Sequence, residues 1–92
     1  MSNSEIIVKV NSLMQQGFEV PVEKLIPTAT VFEDLGLDSL DAVDMLVNLE
    51  DRLGIKVDVE KLKGIRTLQD VYNLVSDISA QNNLSQDQIK IN

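Results

Sequence analysis

DLGLDSLDAVDMLVNLEDRLG, residues 34–54, repeats its apolar residues with the period of a helix. With Leu40 at zero and about 100° per residue, Ala42, Met45, Leu46, Leu49 and Leu53 fall between about 140° and 240°. That stripe predicts a core-facing side for a helix from about Ser39 to Leu53, closed by Gly54. Leu40, Val43 and Val47 fall roughly opposite, between about 300° and 0°, flanked by Asp44, Glu50 and Asp51. A second apolar stripe has two readings: a helix wedged between neighbours, or a docking face with an apolar centre and an acidic rim. The second is preferred, because carboxylates on that side would be costly to bury.

Ser39 stands at the head of this helix, where a serine is usually an N-cap. Asp38 would cap equally well, leaving Ser39 in the first turn with its hydroxyl outward. A loop joined to a helix N-terminus also suits a phosphate, through free N–H groups and the helix dipole. On residues alone, Ser39 is thus either a cap or a phosphate-bearing serine beside an acidic helix.

Outward from this segment, Ile6, Ile7, Val10, Leu13 and Met14 predict a helix from about Asn3 to Gly17. Ser2 with Glu5 resembles a capping box, and Gly17 is its expected terminator. A long loop follows, from Phe18 to Asp38, containing Pro21, Pro27 and Gly36. Its Val20, Val22, Leu25, Ile26, Val31, Phe32, Leu35 and Leu37 imply that it packs onto the helices. A weaker helical turn is expected at about Val59 to Lys63. A last helix follows Thr67, turning Leu68, Val71, Tyr72, Val75 and Ile78 inward. The expected fold is all-α: a small four-helix bundle with three main helices, a short third helix and a long first loop. Residues 1–80 form the single expected domain, and 81–92 a polar tail expected to fray.

Composition removes several functions. With neither Cys nor His among 92 residues, disulfides, thiol catalysis, imidazole bases and the usual zinc ligands are all absent. No apolar run reaches the roughly 20 residues of a membrane span. The polar, acidic start differs from a targeting peptide, so a cytoplasmic location is expected. A net charge of −7 argues against nucleic acid. That charge is concentrated: Glu33, Asp34, Asp38, Asp41, Asp44, Glu50 and Asp51 fall within residues 33–51, with no base among them. Arg52, Lys56, Lys61, Lys63 and Arg66 outnumber Asp58 and Glu60 in the stretch that follows. A single-signed block beside one of opposite sign fits steering of a charged partner.

The run Phe32-Glu33-Asp34-Leu35-Gly36-Leu37-Asp38-Ser39-Leu40-Asp41-Ala42-Val43-Asp44 resembles the signature of acyl carrier proteins, and the similarity extends to about Ala80. The resemblance implies a non-catalytic carrier with 4′-phosphopantetheine on Ser39, attached from coenzyme A by a separate phosphopantetheinyl transferase. It implies that Asp38, Leu40, Asp41, Asp44, Val47, Glu50 and Asp51 meet basic patches on synthase enzymes. It further implies that Phe32, Leu46, Leu49, Leu62, Ile65, Val71 and Leu74 line or border a space for the acyl chain. A monomeric carrier in fatty acid biosynthesis is expected; the alternative is a stand-alone carrier for polyketide, aminoacyl or specialised lipid chemistry. Many fatty-acid carriers keep the third helix acidic, whereas Lys61, Lys63 and Arg66 stand here, which bears on the synthase served.

Two other classes fit poorly. Asp34, Asp38, Asp41 and Asp44 lack the alternating ligands and terminal Glu of a calcium loop, so no metal site is expected. An enzyme using paired carboxylates needs a partly dry concavity that nothing in the pattern builds.

Overall fold

The computed structural model describes the backbone of residues 2–91 and the side chains of residues 2–80. Helix α1 spans Asn3–Phe18, α2 spans Ser39–Leu53 and α3 spans Leu68–Ile91. A 3₁₀ helix at Val59–Gly64 is the short third helix, and a 3₁₀ turn at Val22–Lys24 lies in the long loop. The fold is helical, with three long helices and no strand among the described residues. No helix there is long and apolar enough to cross a membrane.

The amphipathic pattern sets the packing. Helix α1 lies against both α2 and α3, and α2 also touches the short third helix. Ile6, Val10, Leu13 and Met14 of α1 are buried with Ala42, Met45, Leu46 and Leu49 of α2. Leu68, Val71, Tyr72, Val75 and Ile78 of α3 complete the inner face. Ile7, expected inward, is 38% exposed at the edge of the α1 stripe. Tyr72 satisfies its hydroxyl by donating to Asn11 Oδ1, and burial pushes its phenol above the ordinary value.

Helix ends follow local chemistry. Ser2 Oγ accepts the Glu5 N–H at 3.2 Å, as the sequence suggested. The stop of α1 does not lie at Gly17. The helix continues through Phe18, and Glu19 takes the left-handed conformation at φ 56°. A Cβ on Gly17 would meet Leu13 Cδ1 at 3.4 Å, so this glycine sits within the last turn and close to the core. Gly54 does close α2, at φ 65°. The backbone of α3 runs on to Ile91, past Gln81 where the polar pattern suggested an end. The side chains of the expected tail lie outside the described residues.

The long loop is stitched down rather than draped. The Val31 N–H donates to the Arg66 carbonyl and the Leu68 N–H to the Ala29 carbonyl, each at 2.9 Å, around a Thr30–Thr67 bridge. Asp34 accepts the Thr30 N–H at 2.9 Å while Thr30 Oγ1 accepts the Asp34 N–H at 3.0 Å. Val20, Ala29, Val31, Leu35 and Leu37 are buried, but Val22, Ile26 and Phe32 remain exposed, contrary to expectation. Only part of the loop's apolar surface meets the bundle.

Asp70 anchors the start of α3. Its carboxylate accepts N–H bonds from Thr67 at 3.1 Å and Arg66 at 2.9 Å, which hold its pKa below the usual carboxylate range. A carboxyl depressed in the folded state contributes its full stability above the ordinary value of 3.8 and loses it as pH falls further. The Asp70→Asn variant should therefore melt below the parent at neutral pH, with the gap narrowing as pH drops below about 4. Thermal melts at pH 7 and pH 3 check this; a pH-independent gap would assign the effect to shape instead of charge.

Candidate functional site

Ser39 is the first residue of α2, and its neighbours relieve it of capping. Asp38, with extended backbone, accepts the Asp41 N–H at 2.8 Å, and Asp41 Oδ2 accepts the Asp38 N–H at 3.3 Å. This reciprocal box caps the helix at the Asp38 and Asp41 N–H groups without the serine hydroxyl. Of the two readings of Ser39, the structure therefore disfavours the cap. The serine is exposed and lines an open cleft of about 660 Å³. Ala42 and Val43 of α2 form one wall, and Leu62, Lys63, Ile65 and Arg66 form the other. Thr30, Phe32 and Glu33 reach it from the loop. Gly36, at φ 72°, lets the chain turn just before the serine, in a conformation that favours glycine.

The outer side of α2 matches the predicted two-stripe pattern. Leu40 is 79% exposed and Val47 54%, with Val43 partly exposed between them. Asp44 and Asp51 are exposed on the same helix. Asp38, Asp41 and Glu50 have structural roles. The first two form the capping box, and half-buried Glu50 Oε2 accepts the Val57 N–H at 2.8 Å, tying the following segment to α2. The Asp38-x-x-Asp41 spacing could have revealed the first role; nothing in the sequence marks the second.

The residues expected around an acyl chain separate into two groups. Phe32, Leu62 and Ile65 do line the cleft beside Ser39. Leu46, Leu49 and Val71 are buried in the core and line no part of it. Leu74 borders a neighbouring cleft of about 420 Å³, which shares Ile65. Sequence reasoning missed Thr30, Ala42 and Val43 as lining residues; Val43 was visible as part of the exposed stripe. Among the described residues, no group of three or more carboxylates is arranged to hold a metal ion.

A family model described as "Phosphopantetheine attachment site" matches residues 8–75, which include Ser39 and both walls of its cleft. The chain belongs to the acyl carrier protein family. Acyl carrier protein 2 of Ralstonia nicotianae is 35% identical over 80 residues, covering 87% of this chain and 99% of its own length. The acyl carrier protein of Thermosynechococcus vestitus is 35% identical over 77 residues, covering 84% and 95%. A meromycolate extension acyl carrier protein of Mycobacterium leprae is 28% identical over 82 residues, covering 89% and 71%. The crystal structure of an acyl carrier protein from Thermotoga maritima superposes with a TM-score of 0.75 over 88% of this chain and 94% of that one. At 23% identity, that likeness supports the fold alone.

Members of this family carry 4′-phosphopantetheine covalently. The residues present suit the group: an exposed hydroxyl unused by its helix, first-turn N–H groups to face a phosphate, and an apolar-floored cleft beside it.

Proposed function

We propose that this carrier holds acyl intermediates as thioesters on a 4′-phosphopantetheine arm esterified to Ser39, and that it serves fatty acid biosynthesis. The observation that carries the proposal is the freedom of Ser39: Asp38 and Asp41 cap α2, and the hydroxyl opens on the cleft. A separate phosphopantetheinyl transferase would attach the arm from coenzyme A. The Ser39 hydroxyl attacks the pantetheine-bearing phosphorus of the diphosphate and gives up its proton to that enzyme. The diphosphate P–O bond breaks and releases adenosine 3′,5′-bisphosphate. When bound, the arm supplies a terminal thiol that holds cargo as a thioester. The chain's own residues would shelter and present that cargo without transforming it.

Docking falls to the outer side of α2. Asp44 and Asp51 would steer basic patches on synthase enzymes, with Leu40 and Val47 as the apolar centre and Asp38, Asp41 and Glu50 adding charge from their structural positions. A monomer in the cytoplasm is the simplest setting, in keeping with the absence of cysteine. The names of the Ralstonia and Thermosynechococcus relatives support an acyl carrier and give no pathway; the fatty acid assignment goes one step beyond them.

Cargo should shelter in the cleft among Phe32, Leu62 and Ile65, since each buried methylene contributes up to about 0.8 kcal/mol. The arm alone should change stability little, because first-turn N–H groups favour its phosphate while Asp38 and Asp41 repel it. Melting temperatures of the bare, arm-bearing and long-chain acylated forms provide the test, with the acylated form expected highest. Equal melting of the arm-bearing and acylated forms would place the cargo outside the bundle. Intact mass of protein made in its native host would identify the arm and the cargo together.

A further inference from the structure

The cleft beside Ser39 is lined by two bases, Lys63 and Arg66, whereas the carboxylates of α2 stand outside it on the docking side of that helix. Asp38 caps α2, Asp41 and Asp44 lie in its first half, and Asp51 lies in its last turn. Lys63 and Arg66, both exposed, line the cleft with Ser39, and Lys61 is exposed on the short third helix beside Lys63. Their local counter-charges are weak or engaged elsewhere. Glu60 meets Lys63 at 3.0 Å, but both side chains are mostly in water, where such a pair contributes little. Asp70 is occupied by the Thr67 and Arg66 backbone N–H groups, and Glu33 lies at the loop end of the cleft.

Resting on the carrier reading above, we infer that the enzymes acylating the arm dock with a two-signed surface, basic opposite α2 and acidic opposite residues 61–66. Ser39, Lys63 and Arg66 line one cleft, so an enzyme that docks on the acidic side of α2 and reaches cargo at Ser39 must also meet Lys63 and Arg66. A partner basic throughout would press like charges onto Lys63 and Arg66 while stripping their water. Screening limits the reach of each charge to about 10 Å at 0.1 M salt, so each charged group answers to the patch directly facing it. The basic pair thus rejects uniformly basic enzymes, and repulsion of that kind is an effective source of specificity.

The test uses arm-bearing protein and the acyl-loading enzyme of its own organism. Two double variants are compared with the parent: Lys63→Glu with Arg66→Glu, and Asp44→Lys with Asp51→Lys. None of these four side chains takes part in the capping box or the core. Each double variant should lower the second-order rate constant of acylation about tenfold at low salt, and the loss should shrink as salt rises. A Lys63→Glu, Arg66→Glu rate equal to or above the parent's would overturn the inference, because a uniformly basic partner would gain from that change. Intact mass is measured before the assay. A parent protein that takes no arm at all would defeat the carrier reading itself, a failure distinguishable from failure of the docking geometry.

Discussion

Replacing Ser39 with alanine should abolish arm attachment completely while leaving the fold unchanged. Incubation of the parent with coenzyme A and a phosphopantetheinyl transferase should add one arm, seen by intact mass, and the Ser39→Ala variant should gain none. The fold should survive because the helix end is capped by Asp38 and Asp41 and the serine is exposed. Alanine is also a good helix former in a first turn. Equal melting of parent and variant, with loss of the mass shift, is the expected pair of results. Continued modification of the variant would move the attachment site elsewhere. A large drop in melting temperature would instead show that the hydroxyl supports the helix.

The second large effect concerns the core. Leu49 is 1% exposed, on the inner stripe of α2 that meets α1. Leu49→Ala should cost about 2–5 kcal/mol, the range for a buried leucine leaving a partly collapsed cavity. In a domain of this size each kcal/mol moves the melting point by about 4–8 °C, so a drop of more than about 8 °C is expected. Leu40→Ala, on the opposite side of the same helix and 79% exposed, should move it by less than about 0.5 kcal/mol. Denaturant midpoints of the two variants measure the contrast directly. Similar losses at both positions would mean that the outer stripe is packed against something that stabilises the chain.

Helix α2 shows what the sequence made legible and why. Its inner and outer stripes and its stop at Gly54 are local, expressed in the spacing of residues that touch within one helix. Its cap could by sequence be Ser39 or Asp38, and the reciprocal bonds of Asp38 and Asp41 decide between them. The inward residues of α3 were legible for the same reason. The stop of α1 was not, because Gly17 is the natural terminator by intrinsic preference, while the chain reverses two residues later at Glu19. Long-range contacts were equally hidden. Glu50 accepts the Val57 N–H, and the Ala29–Val31 backbone pairs with residues around Thr67, yet neither follows from periodicity. The distinction between core and cleft was lost too. The resemblance places Leu49 and Ile65 alike beside the acyl chain, and both are buried, but only Ile65 borders the open space beside Ser39.

The reciprocal bonds between Asp38 and Asp41 have a consequence for the working cycle of a carrier. Because the helix end is closed by residues on either side of the serine, esterification there removes no hydrogen bond on which the helix depends. Bare, armed and loaded molecules would then share one backbone, and loading or unloading would be silent to any enzyme that inspected only the outer surface of the helices. Whatever tells a charged molecule from an empty one must read the arm and its cargo directly, so the scaffold works as an address and the message stays on the arm.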